Sequence, residues 1–313
     1  MKTTASPSLA FALLLLGTTL GLAGTDLVLP AVPGLPEVLG GSAAMAQLVL
    51  AAFVAGGCVG LILFGELGAR ADQRSLLVGS LIAYALVSLA CALAPSLPAL
   101  VGLRFLHGLS GAAAAVFAPG MIRAMFSEAG AVRALGVMGS VESLVPALAP
   151  VAGVWLLAAF GWTSSFYMIA GLSLIVAALV RALGSSMPVP PPTRGQGSYI
   201  RLLSNGTYLR YALSQACTLG GLLIFVFGAP AMMTKALGLT LNAFIIMQVT
   251  GIAFFILASN IAGRLADMFG PERMILTGSA VSALGLIGLV LYGLRGGTDA
   301  WVITALFVPV NLG

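Results

Sequence analysis

From Leu97 to Phe126 the chain reads LPALVGLRFLHGLSGAAAAVFAPGMIRAMF, a run too long and too apolar for the core of a soluble domain, yet holding Arg104 and the only histidine, His107. A helix of about 20 apolar residues crosses ~30 Å of hydrocarbon, so the run is read as a membrane span. Charge at that depth is costly unless it is paired or wetted, and at ~1.5 Å per residue Arg104 lies roughly 10 Å below the outer end of the helix. It is expected to face a polar interior; the alternative is a side chain that snorkels to the surface. Gly108, Gly111 and the run Ala112–Ala115 supply the small residues that let neighbouring backbones approach where no hydrophobic drive packs helices together.

The rest of the chain repeats the theme. Sixty per cent of its 313 residues are apolar and only 7% are charged, against the roughly 25% charge of a soluble domain. Spans of about 20 residues, without alternating ten-residue segments, predict an all-α, multi-pass membrane protein rather than a β-barrel. Cys58, Cys91 and Cys217 sit in apolar runs with no metal-ligand or redox spacing and are read as packing residues. The net charge of +5 would point to nucleic acid in a soluble protein, but here the basic residues fall in short loops.

Residues Leu9–Gly24 look at first like the core of a signal peptide, but no small-residue cleavage site precedes Asp26 and many spans follow, so they open the first membrane helix. Five more spans reach Leu183 and form an N-terminal six-helix bundle, 1–183. The stretch 184–206, rich in Pro, Gly, Ser and Arg, reads as a solvated linker. Residues 207–313 hold three further spans and the start of a tenth, which gives nine full spans and part of another.

Of the 14 Lys and Arg residues, Arg104 lies inside a span, Lys235 and Arg295 fall on one side, and the remaining eleven fall on the other. The basic side belongs in the cytoplasm, which places the N-terminus and the linker there. The loop GELGARADQRSLL from Gly65 returns as GRLADMFGPERMIL from Gly263, an offset of 198 residues. Two parallel six-helix halves account for this repeat; completing the second would take about 70 residues more, so it is expected to be an incomplete bundle of a truncated product.

Four motifs carry a resemblance to the major facilitator superfamily, and within it to the drug:proton antiporters of the bicyclomycin and chloramphenicol resistance type. Thr25-Asp26-Leu27-Val28-Leu29-Pro30-Ala31-Val32-Pro33 is similar to the TDxYLPAxP segment that ends helix one. The loop signature GxLaDrxGrr is matched by Gly65, Leu67, Arg70 and Arg74, with Ala69 where the family has Asp and Asp72 where it has Gly. Its second copy keeps Gly263, Leu265, Asp267, Gly270 and Arg273. The resemblance implies a charge network there that holds the outward-facing state, with Asp72 able to replace the missing acid one turn on.

RxxqG in helix four reads Arg104-Phe105-Leu106-His107-Gly108, His107 replacing Gln. The antiporter signature of helix five reads Gly139 through Ala149-Pro150-Val151-Ala152-Gly153, preceded by Pro146. The resemblance implies a transporter of the bacterial inner membrane that needs no cofactor, draws on the proton gradient and works as a monomer by rocking its two halves.

Proton coupling asks for a carboxylate whose affinity for protons is set by burial and by a movable cation. Depth arithmetic at ~1.5 Å per residue puts Asp26 within ~5 Å of Arg104 in height, and Glu142 level with His107, so two pairs are expected. Glu142 is either a coupling acid or a neutral acid bonded to a neighbouring helix. His107 is either a proton carrier or a neutral stand-in for Gln. Asp26 is either a protonation site or the partner that orients Arg104. Pro146 cannot donate to the carbonyl of Glu142, and Pro150 stands in the same relation to Pro146, so helix five is expected to bend or loosen.

Tyr211, Gln215, Phe225 and Gln248 offer aromatic and weakly polar contacts to a small hydrophobic or amphipathic substrate. No P-loop, metal cluster or paired nucleophile is visible, and an enzyme is not expected. The reading is a proton-coupled drug exporter; the alternatives are a metabolite or sugar exporter on the same fold and a non-transporting remnant.

Overall fold

A computed structural model describes residues 7–183, 187, 190 and 203–312. Residues 1–196 and 197–313 form two compact units. The expected linker lies mostly outside the described residues.

The first unit opens with α1 (Pro7–Asp26), which stops four residues before Pro30; the proline-rich segment then turns through a 3-10 helix, Leu29–Gly34, and the short α2 (Leu35–Leu39). Leu29, Pro30, Ala31 and Val32 are buried, so this end of the bundle is folded in rather than solvated. α3 (Ala43–Gly68), capped by Ser42, and α4 (Gln73–Ala92), capped by Asp72, follow.

The fourth expected span is two helices, α5 (Leu97–Gly111) and α6 (Ala113–Met125), interrupted at Ala112. α7 (Glu128–Phe160) runs through both Pro146 and Pro150 as one 33-residue helix, so the prolines are absorbed without ending it. α8 (Ser164–Leu183) closes the unit.

Glycine sets the closest helix pair. A Cβ on Gly56 of α3 would sit 2.8 Å from the carbonyl carbon of Phe105, and one on Gly108 of α5 would sit 2.8 Å from that of Phe53 and 3.0 Å from the amide nitrogen of Gly57. α3 and α5 therefore touch backbone to backbone, as small-residue interfaces in membranes allow. α4 packs on α8, where the buried Ser88 hydroxyl donates to the Phe166 carbonyl at 2.8 Å. α4 buries Tyr84 and Ser88 while exposing Ile82 and Leu86.

The second unit holds α9 (Gly206–Ala231), a π-helical turn Met232–Ala236, α10 (Leu241–Phe269), α11 (Pro271–Leu294) and α12 (Ala300–Leu312). Asn205 caps α9 by accepting from the amides of Thr207 and Tyr208. Phe225 stacks on Phe307 with centroids 4.5 Å apart, tying α9 to α12.

Among the described residues eight helices are long and apolar enough to cross a bilayer, with two shorter apolar stretches, Asn242–Ala258 and Ala300–Leu312. The first of these is part of α10, and the second is the tenth segment expected from the sequence. Cys91 is buried, whereas Cys58 and Cys217 are exposed and do not serve as core packing.

Candidate functional site

Arg104 is the largest fully buried side chain of the first unit, with no exposed surface. Ser96 caps α5 two turns before it. The guanidinium reaches across to α1, where its Nη1 donates to the Gly24 carbonyl at 2.9 Å, and to α3, where its Nε donates to the Val49 carbonyl at 3.2 Å. Gly24 lies in the last turn of α1, whose carbonyls lack intrahelical partners; Arg104 is thus a cationic cap on a helix C-terminus, where the backbone dipole favours positive charge.

Rings complete the housing. The guanidinium carbon sits 4.1 Å from the ring centre of Phe53 and 5.8 Å from that of Phe166. Cations are attracted to such faces, most strongly out of water.

His107, also fully buried, places its Nδ1 3.0 Å from Arg104 Nη1. An arginine can only donate, so Nδ1 accepts; the ring is the neutral tautomer with its proton on Nε2, an atom with no partner among the described residues. The imidazole lies on the Tyr84 ring at 4.1 Å and 13°, and Tyr84 anchors itself by donating to the Leu20 carbonyl at 3.0 Å. Gly24 and Gly111 leave the slot for Tyr84: a Cβ on Gly111 would meet the ring at 2.8 Å. Five helices, α1, α3, α4, α5 and α8, therefore converge on one cation.

Neither expected pair forms. Arg104 makes no ion pair with Asp26: its Nε and Nη1 turn to the Val49 and Gly24 carbonyls and His107, and its Nη2 has no partner among the described residues. His107 does not meet Glu142, because its ring turns to Arg104 and Tyr84. Asp26 at the end of α1 and Glu142 on α7 are both partly buried, with no hydrogen bond or ion pair among the described residues. Of the two readings of His107, the neutral stand-in for Gln agrees with this geometry.

The helix-one and helix-five motifs do meet. Gly153 leaves room for the Leu27 carbonyl, which also accepts from the Ser165 hydroxyl at 3.1 Å. Gly139, by contrast, has nothing within 4 Å of where its Cβ would be.

The loop motifs are more conventional than expected. Arg70 pairs with Glu66 one turn back, and Arg74 donates to the Met187 carbonyl. Asp72 caps α4, accepting from the Ser75 amide at 2.9 Å and the Ser75 hydroxyl at 2.7 Å. The Ser75 hydroxyl and amide hold its carboxyl below the usual carboxylate range. Asp72 has φ −64°, which any residue adopts, whereas Gly270, at the matching place in the second copy, has φ +88° and needs glycine. Gly65 lies within α3 and Arg273 is exposed in the first turn of α11. Gly263 and Asp267 lie on α10, and the side chain of Asp267 is outside the described residues.

Of the proposed substrate contacts, Tyr211 and Gln215 are exposed on α9, Phe225 packs on Phe307, and Gln248 is buried with its Oε1 unpartnered. Tyr84, Phe53, Phe166 and Gly24 were not singled out by the sequence. An intramembrane tyrosine at position 84 was the one signal available.

Residues 14–313 match the family model of the Major Facilitator Superfamily. The chain belongs to this superfamily. Within the superfamily it is 27% identical over 288 residues to the chloramphenicol resistance protein of Pseudomonas aeruginosa, covering 90% of this chain and 66% of that one. It is 24% identical over 282 residues to a bicyclomycin resistance protein homologue of Haemophilus influenzae, covering 87% and 70%.

The chain thus spans about two thirds of the length of the curated relatives it matches. Among solved structures it superposes on a bacterial homologue of the human lysosomal transporter Spinster, inward-facing and occupied, with a TM-score of 0.69 at 17% identity over 99% of this chain and 74% of that one. Major facilitator membership makes this a multi-pass membrane protein of a transporter family and not an enzyme.

Proposed function

We propose that the chain acts in secondary active export, exchanging inward-moving protons for outward-moving hydrophobic or amphipathic small molecules across the bacterial inner membrane, with its N-terminus cytoplasmic and no bound cofactor. The observation that carries this reading is the housing of Arg104. A permanent cation is held by carbonyls and rings, without a carboxylate, while two carboxylates of the same unit, Asp26 and Glu142, are left partly buried and unpartnered. Acids so placed gain or lose a proton as their surroundings change, whereas Arg104 does not. His107, locked as an acceptor, positions the cation rather than carrying the proton.

The resistance proteins among the relatives support an apolar drug as cargo, and the excess of basic residues on one side supports the orientation. The test is proton release from the purified chain on addition of chloramphenicol, followed with a pH dye. Release is expected from the wild type and is expected to fall several-fold in Asp26→Asn or Glu142→Gln. Release unchanged in both variants overturns the assignment of the proton sites.

A further inference from the structure

Where α4 begins and α8 ends, a cavity of about 610 Å³ is lined by Asp72, Arg74, Ser75, Val78, Arg181 and Ala182. Its two guanidinium groups share the lining with one carboxylate, that of Asp72, whose Oδ2 accepts from the Ser75 amide and hydroxyl. Arg74 spends one donor on the Met187 carbonyl, but its Nε–H is buried with no acceptor among the described residues. Arg181 is exposed and makes no hydrogen bond or ion pair with a described residue. The lining therefore carries one surplus positive charge and donors that lack acceptors. A group with several anionic oxygens fits it, and guanidinium forks match phosphate.

The surface leading away from the cavity distinguishes a free phosphate from one that carries tails. On α4, Ile82 and Leu86 continue the stripe of Ser75, Val78 and Gly79 at helical spacing, and both are exposed. On α8, Leu179 and Ile175 continue back from Ala182 in the same way, also exposed. Two apolar tracks thus run from a cationic seat along membrane spans.

We propose that this cavity seats the phosphate of an anionic phospholipid, with its acyl chains lying along these tracks. Only the choice of leaflet rests on the orientation proposed above. In the cytoplasmic leaflet anionic lipid is the abundant source of such groups.

Native mass spectrometry of the purified chain tests this with phosphatidylglycerol and phosphatidylcholine of identical acyl chains. One phosphatidylglycerol is expected to be retained about tenfold more tightly, and Arg181→Gln to reduce that preference by a similar factor, the scale of a lost charge-assisted bond. Arg133→Gln, which removes an exposed charge of α7 outside the cavity, should leave the preference intact. Equal retention of the two lipids, or an unchanged preference in Arg181→Gln, overturns the proposal. Protection of the detergent-solubilised chain by inorganic phosphate, equal to that by phosphatidylglycerol at the same concentration, also overturns it by assigning the seat to a free anion. Arg181 is exposed, so its replacement does not threaten folding, and the readout does not involve proton exchange, so it fails separately from the transport reading.

Discussion

Arg104 and Glu142 both sit within membrane spans of one bundle, and they are housed in opposite ways. Around Arg104 the helices meet backbone to backbone, and the charge is met by two carbonyls, an imidazole nitrogen and ring faces. Around Glu142 the helix is open: a Cβ on Gly139 would meet nothing within 4 Å, Ser140 and Ser143 turn their hydroxyls back onto their own helix, and the carboxyl has no partner among the described residues. The contrast teaches how one bundle can hold a charge in close packing and leave an acid outside it. Close-packed backbones supply carbonyls that hold the cation of Arg104; the carboxyl of Glu142 is kept out of such packing.

The sharpest way to break this contrast is to remove each side chain in turn. Arg104→Ala leaves the Gly24 and Val49 carbonyls without their donor and opens a large void, for an expected loss of about 3–5 kcal/mol. Glu142→Gln should change stability by less than about 0.5 kcal/mol, because it keeps the size of the side chain and breaks no bond to a described residue. Unfolding of the two purified variants measures both, and equal losses would erase the distinction.

Next come the two glycines. Gly108→Ala pushes a Cβ into the backbone of α3 and should cost about 1–3 kcal/mol as an overpacking change. Gly139→Ala meets open space and should gain up to about 1 kcal/mol from helix propensity. A loss at both positions would mean that α7 is packed as tightly as α5.

The part of this contrast that was legible in the sequence is the part that composition controls. Long apolar runs fixed the spans, and Gly108 beside Arg104 announced both a close helix approach and an inward-facing charge. Partners were a different matter. Depth along a helix follows from counting residues, but the direction a side chain takes around the axis does not, so Asp26 and Arg104 were matched in height yet Gly24 holds the arginine. Backbone carbonyls have no signature in side-chain sequence, and the rings of Phe53, Tyr84 and Phe166 come from three other helices.

The same limit explains Asp72. Its place in a family motif implied a network, whereas its spacing to Ser75, three residues on, is that of a helix cap. The break at Ala112 was hidden too, because a run of alanines favours an unbroken helix.

Smaller changes sharpen the comparison at the histidine. His107→Leu removes the acceptor from Arg104 Nη1 and should cost about 1–3 kcal/mol, while His107→Gln supplies an amide oxygen in its place and should recover most of that loss. Unfolding midpoints of the two variants measure the difference. Recovery by Gln marks His107 as a positioning group; equal loss in both would mean that the Tyr84 stack, and not the bond to Arg104, is what the imidazole contributes.

The smallest expected effect concerns a carboxylate with partners, set against Glu142, which has none. Asp72→Ala removes the cap of α4 and should cost about 1 kcal/mol at neutral pH, whereas Asp72→Asn keeps an acceptor and should cost little. The folded state holds the Asp72 carboxyl below its ordinary value, so its contribution is present above that value and fades as pH falls through the lower, folded one. The wild type should therefore lose this increment below about pH 4, and Asp72→Asn should lack that part of the acid dependence. Glu142→Gln should leave it unaltered, because Glu142 takes no part in the cap of α4. An acid limb that responded to Glu142→Gln and not to Asp72→Asn would show that the unpartnered acid of α7, rather than the capped one, is coupled to folding.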